Sequence, residues 1–380
     1  MKIAILTLPL HTNYGGILQA YALQTVLERM GHDVCILSRR ESKPNLKLQI
    51  FRILSFLKSL FRRYFLNDTD FLIVSPFVEN YCTKNRIDCF KLREFVANYL
   101  NLTSPLRSLN QMIKYAQKEQ LDIYIVGSDQ VWREEYVQSI EEMFLSFLPK
   151  DCKAKRIAYA ASFGTNDNPI SSEKLSACVD LLQRFNAVSV REKSAVDMCE
   201  DIFGVEADHV LDPTMLLTAI DYKTIFEKAA VQKSPGTLLT YILDEDHCIK
   251  RKIEQLAKDM NLVPFSVNTL EKVESFTYAY RQPSIECWLR GFYDSELVVT
   301  DSFHACVFSI IFNKPFVCIG NKDRGNARFD SLLDMFGLQD RLVDDMNSNL
   351  VLHKTIDWRR VNEILEQKRY ESFAFLRKVL

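Results

Sequence analysis

KIAILTLPLHTNYGGILQAYALQTVLERMGHDVCIL, residues 2–37, carries the fold in miniature. KIAILT reads as a buried parallel strand. The loop LPLHTNYGG breaks it with proline and glycine, ILQAYALQTVLERM then spaces its apolar residues helically, and Gly31 stops that pattern before a second apolar run, DVCIL. A strand, a loop, a helix and a strand in this order predict two parallel strands joined by a right-handed crossover.

Outward from that unit the alternation continues. DIYIV precedes GSDQVW, RIAYAA precedes SFG, AVSVR precedes EKSA and DHVLD precedes PTM, with helical patterns in SEKLSACVDLLQRF and EKSAVDMCEDIF. After LDPTMLL the alternation restarts: TLLTYIL, the helix CIKRKIEQLAKDM, LVPFSV, the helix IECWLRGFYDS, ELVVT, a helix through HACVFSIIF, and PFVCIG. Two separate βα alternations predict an α/β protein of two Rossmann-like domains, each with a parallel sheet, facing across a cleft. The expected units are residues 1–215 and 216–355, with a terminal helix at 356–380 packing back on the body. Residues 41–100 fit neither alternation. There LKLQIFRILSFLKSLFRRYFL is basic and amphipathic: either a helical insertion packed on the first domain, or a peripheral membrane contact through residues 47–66 with Lys58, Arg62 and Arg63 outward.

With 47% hydrophobic residues among 380, the chain can bury a sizeable core, and its length suits about two domains. Its 48 Lys and Arg against 49 Asp and Glu leave a formal charge of −1, so no global field draws it onto nucleic acid, and any anion site must be local. The ten cysteines are scattered without a CxxC pair, which reads as reduced thiols in the cytosol rather than a disulfide or metal framework. The opening apolar run is too short for a signal peptide, and no run approaches the ~20 apolar residues that span a bilayer. The expectation is a cytoplasmic protein, with the inner face of the membrane as a further location through the basic segment.

Ligands of open α/β sheets sit beyond the carboxyl ends of the strands, and that rule selects the candidate residues. Asn13, Tyr14, Gly15 and Gly16 open the first helix, where glycines let backbone N–H groups approach an anion or a sugar hydroxyl. The pattern is not GxGxxG, and a simple helix start explains it equally well. Ser128, Asp129, Gln130 and Trp132 follow the strand DIYIV; a carboxylate, an amide and an indole suit a carbohydrate, and a capping Asp with a core Trp is the even alternative. His304, about one turn into the helix after ELVVT, is placed to give or take a proton near neutral pH, with Asp301 or Ser302 as the cap. Beyond the next strand Lys322, Arg324 and Arg328 suit phosphate and carboxylate, and Arg191 ends AVSVR in the facing domain. Cations from both sides with one histidine between them suggest a small, doubly anionic donor; a solvated charge cluster is the plainer reading of each cation alone.

NYGGILQAYAL, VGSDQVW, SVRE, LDPTMLL and TDSFH followed by NKPF, in this order over residues 1 to about 340, resemble the polysaccharide pyruvyl transferase family. The resemblance implies a GT-B-like fold with an acceptor-side first domain and a donor-side second domain. It implies transfer of a pyruvyl group from phosphoenolpyruvate to two hydroxyls of a sugar in a surface glycan or its precursor, as in capsule or exopolysaccharide biosynthesis. The product is a cyclic ketal, with no metal and no cofactor beyond the donor. The family's proposed general acid falls on His304, and its donor-binding arginines fall on Arg191 and on Ser302, where this chain departs from the pattern. In that scheme Arg191, Ser302, Phe303, Lys322, Arg324 and Arg328 face the donor. Asp129 joins His304 and Arg191 at the reacting centre. Asn13, Tyr14, Gly15, Gly16, Ser128, Gln130 and Trp132 face the sugar or lipid-linked oligosaccharide acceptor. The rivals are a GT-B-type sugar-nucleotide glycosyltransferase, which needs a ribose-binding acid and a base-stacking pocket, and a non-catalytic glycan-binding relative.

Overall fold

The computed structural model describes residues 1–42, 46–66, 87–244, 247–273, 279–320, 326–343 and 354–380. Each apolar run read as a strand forms one. β1 (Lys2–Leu6), β2 (Asp33–Ile36), β4 (Ile123–Val126), β5 (Lys155–Ala161), β6 (Ala187–Val190) and β7 (Asp208–His209) make a wholly parallel sheet in the order β2-β1-β4-β5-β6-β7. Ile3 pairs with Val34 on one side and Ile123 on the other, so the strand order reverses beside β1. β8 (Leu238–Tyr241), β9 (Pro264–Ser266), β12 (Leu297–Thr300), β13 (Phe316–Ile319) and β14 (Leu342–Val343) make the second, also parallel, in the order β14-β13-β12-β8-β9. Both sheets are covered on both faces, which is why IYIV, LVVT and FVCI are buried at every position, Thr300 included, rather than at alternate ones.

Sequence reading did not anticipate a third, three-stranded sheet. β3 (Ile87–Asp88), from the insertion, pairs parallel with β11 (Tyr280–Arg281), which pairs antiparallel with β10 (Glu271–Lys272) in the second half. The two halves also share one apolar core rather than meeting at an open face. On α1 (Tyr14–Arg29), Tyr14 stacks at 5.7 Å on Trp288 of the second half, and its hydroxyl donates to the Pro283 carbonyl at 2.8 Å. The terminal helix Trp358–Val379 clasps the linker between the sheets: Arg369 donates from Nε to Met215 O and from Nη2 to Leu217 O, both at 2.6 Å, and Ser372 Oγ accepts from Leu211 N at 3.0 Å.

The basic amphipathic segment is α2 (Leu46–Phe65). Within it only Ser59 is fully buried, and its large apolar side chains are mostly exposed, which is not how a helix packed by its apolar face against a domain looks. No helix among the described residues is long and apolar enough to cross a membrane.

Candidate functional site

Four strand ends and the interdomain linker bring seven polar side chains together: Ser128, Asp129, Arg191, Glu192, Asp212, His304 and Arg328. Arg191 leaves the end of β6 and is almost wholly enclosed. It donates from Nη1 to Asp212 Oδ2 at 2.8 Å, from Nε to Glu192 Oε1 at 3.3 Å and from Nη2 to Asp129 Oδ1 at 3.4 Å. The Phe303 ring lies 4.4 Å from the guanidinium carbon and covers one face of it. Of the five guanidinium N–H groups three are committed, leaving one on each terminal nitrogen. Burial alone would lower the Arg191 pKa, but Glu192, Asp212 and Asp129 overcome it and hold the charge firmly in place.

Asp212 is the hub. Its Oδ1 caps the turn that follows, accepting from Thr214 N at 3.0 Å and Thr214 Oγ1 at 2.7 Å. Its Oδ2 accepts from Arg191 and from Ser128 Oγ at 3.2 Å, and lies 3.7 Å from His304 Nε2. Burial would raise this carboxyl, but His304, Arg191 and Thr214 hold it well below the usual carboxylate range. The His304 contact is within ion-pair range but too long for a hydrogen bond, so the ring's Nε2 is buried without a hydrogen-bond partner. Glu192 Oε2 and Arg328 Nε are likewise buried and unpartnered. Three orphaned polar atoms in one region point to a site built to meet something else.

His304 stands in the first turn of the helix Phe303–Ile311, whose N-cap is Ser302. Ser302 makes no side-chain capping bond; its backbone N–H donates to Thr300 Oγ1 at 3.0 Å. Asp301 is not the N-cap: its two oxygens accept from Leu243 N and Asp244 N and tie the ends of β12 and β8. Across the interface the imidazole rests on Gly15, where a Cβ would lie 2.1 Å from Nδ1. The glycine thus seats the histidine, a role that the motif NYGG does not announce. The ring is only 7% exposed, so His304 is enclosed between the two halves.

Arg328, on the helix Ala327–Phe336, reaches the same cluster. Burial lowers its pKa, and the like charge of Arg191 lowers it further, which places the two cations within electrostatic reach across the interface. Lys322 and Arg324 lie outside the described residues.

Several residues assigned to acceptor binding are occupied otherwise. Trp132 is fully buried, stacked 5.2 Å from Phe144 and tilted 5.0 Å from Phe163, with Nε1 donating to Met143 O; its faces are covered and it offers no sugar platform. Tyr14 belongs to the interdomain core described above. Ser128 is buried between Ala160 O and Asp212, and Gln130 packs against Gly164. Asp129 turns inward to Arg191 with a left-handed φ of 74°, so it is a partner of the cation rather than an exposed base. Asn13 remains at the surface as the N-cap of α1, accepting from Gly16 N at 3.1 Å. Asp212 was passed over in the sequence because Asp before Pro-Thr reads as a turn cap; it is a cap through Oδ1, while Oδ2 joins the cluster.

Among the described residues no group of three or more His, Cys, Asp or Glu side chains is placed to hold a metal ion. No curated protein matches the chain in sequence. Solved structures of the same architecture include UGT89C1 of Arabidopsis thaliana complexed with quercetin, at 8% identity and TM-score 0.51, covering 98% of each chain. A putative UDP-N-acetylglucosamine 2-epimerase from Listeria monocytogenes aligns at 9% identity and TM-score 0.52 over 97% of this chain and 90% of the other. At such identity these establish the GT-B-like fold alone. The sequence profile of polysaccharide pyruvyl transferases, in contrast, matches residues 13–323, from the cap of α1 past the histidine helix, and the chain belongs to the polysaccharide pyruvyl transferase family.

Proposed function

We propose that this protein transfers a pyruvyl group from phosphoenolpyruvate to two hydroxyls of one sugar in a surface glycan or its precursor, closing a cyclic ketal and releasing phosphate. The observation that carries this reading is the meeting of Arg191 from the first half and His304 from the second on one oxygen, Oδ2 of Asp212, at 2.8 and 3.7 Å. A proton donor and a fixed cation are thereby held together at the seam of the two domains.

The chemistry asks for both. Protonation of the donor's methylene carbon by His304 makes a methyl group and an oxocarbenium-like centre, which the first sugar hydroxyl attacks. The resulting tetrahedral adduct expels phosphate, and the second hydroxyl closes the ketal. One hydroxyl proton replaces the proton given up by the imidazole, and the other leaves with phosphate. The remaining N–H groups of Arg191, and Arg328 beside it, hold the donor's carboxylate and phosphate and offset the charge that builds on the departing oxygen. Arg328 supplies a cation where this chain has Ser302. Because His304 is enclosed, the donor reaches it only when the groups packed around the ring move aside.

The reading is tested by offering the protein phosphoenolpyruvate and labelled sugar nucleotides in parallel, each with a panel of glycan acceptors. Acceptor-dependent phosphate release from phosphoenolpyruvate is expected. Turnover of a sugar nucleotide with phosphoenolpyruvate untouched would assign the fold to glycosyl transfer instead.

A further inference from the structure

α2 turns its apolar side outward. Leu46, Ile50, Leu54, Leu57, Phe61 and Tyr64 recur three and four residues apart and form one stripe, and each is exposed, from 49% at Ile50 to 72% at Leu46. The opposite side is the more enclosed one: Arg52, Phe56, Ser59, Leu60 and Arg63 are all buried or half-buried. A soluble helix orients the other way round. The polar residues are equally one-sided in kind: Lys47, Arg52, Lys58, Arg62 and Arg63 are cations, and the helix contains no Asp or Glu. At 100° per residue, Lys47, Lys58 and Arg62 run along one border of the stripe. A helix of +5 in a chain of −1 leaves −6 on the remainder, so this element is opposite in sign to the rest of the chain taken together.

We propose that α2 docks the protein on an anionic lipid bilayer. The stripe of leucine, isoleucine and aromatic side chains enters the boundary between headgroups and acyl chains, and the bordering Lys47 and Lys58 meet lipid phosphates. A protein groove would cover the apolar stripe equally well, but it would not call for five cations and no acid. The interaction is peripheral and reversible, since the helix lies in the interface rather than crossing it.

Flotation of the full chain with vesicles tests this directly. At about 0.15 M ionic strength the protein is expected to float with vesicles of phosphatidylcholine containing phosphatidylglycerol, and to bind pure phosphatidylcholine at least ~10-fold more weakly. Leu54→Glu with Phe61→Glu should abolish flotation, and Lys47→Gln with Lys58→Gln should weaken it about 5-fold for each cation removed. All four positions are exposed, so thermal melting should stay at the wild-type value. Equal binding to both vesicle types, no flotation of the wild type, or full flotation of the Leu54→Glu, Phe61→Glu variant would overturn the proposal. So would a concentration-dependent dimer that the same variant dissolves in the absence of lipid, which would give the face to a second copy.

Discussion

Replacing Gly15 with Ala puts the interface geometry under the sharpest test. In an isolated helix the change is favourable by up to ~1 kcal/mol, because glycine is a poor helix former. Here the new methyl would lie 2.1 Å from His304 Nδ1, 2.2 Å from Cγ and 2.7 Å from Cβ, where ordinary contact begins at 3.4 Å. The ring and the helix must therefore part by more than ~1 Å, and overpacking of that kind costs about 1–3 kcal/mol. Displacing a reacting group by ~1 Å lowers turnover by roughly 10²-fold. The expected result is lower stability in urea together with a ~10²-fold fall in acceptor-dependent phosphate release. Gly16→Ala is the control: its methyl meets the Asn13 side chain at 3.4 Å, an ordinary contact, so its urea midpoint should hold or rise. If Gly15→Ala matched Gly16→Ala in both readouts, the close seat of His304 on α1 would be wrong.

Three further substitutions separate the roles of the cluster. Asp212→Asn should lower turnover ~10²-fold and destabilise the protein by a few kcal/mol at neutral pH, since Arg191 and Ser128 lose an anionic acceptor. The Asp212 carboxyl is depressed in the fold, so its stabilisation is complete above the ordinary value near ~3.9 and fades as pH falls below it. Urea midpoints of wild type and Asp212→Asn should therefore differ at pH 7 and approach each other below about pH 4. Arg191→Lys keeps the charge but loses the planar fork that serves three carboxylates; about 2–3 kcal/mol of stability should go, read by urea unfolding, and donor turnover with it. Trp132→Ala should destabilise by about 3–5 kcal/mol while the folded fraction keeps its acceptor KM, whereas a sugar-stacking tryptophan would show the opposite split.

How far the chain could be read without coordinates depends on what each residue's signal reports. The stretches IYIV and LVV lack polar alternation because both faces of a parallel strand are covered, and that local pattern suffices to place them. His304 and Arg191 were singled out by their position at strand ends, which is also a local property, and the structure brings them to one carboxylate. Trp132 and Tyr14 were misplaced because an aromatic beside polar residues looks the same whether its ring faces a ligand or a core. Only tertiary contact with Phe144 or Trp288 decides the matter. Asp212 hid behind its own capping bond, and Gly15 behind an ordinary helix start, since the partner of each is far away in sequence. The amphipathic character of α2 was evident from its periodicity, but the direction in which the apolar stripe points was not, because periodicity is blind to what stands opposite.

The central claim is that His304 supplies the proton that opens the donor, and single-turnover phosphate release from phosphoenolpyruvate with an acceptor in place measures it most directly. Wild type should release phosphate and His304→Ala should do so at least ~10²-fold more slowly, with its fold intact by circular dichroism. Equal rates from the two proteins would contradict the account.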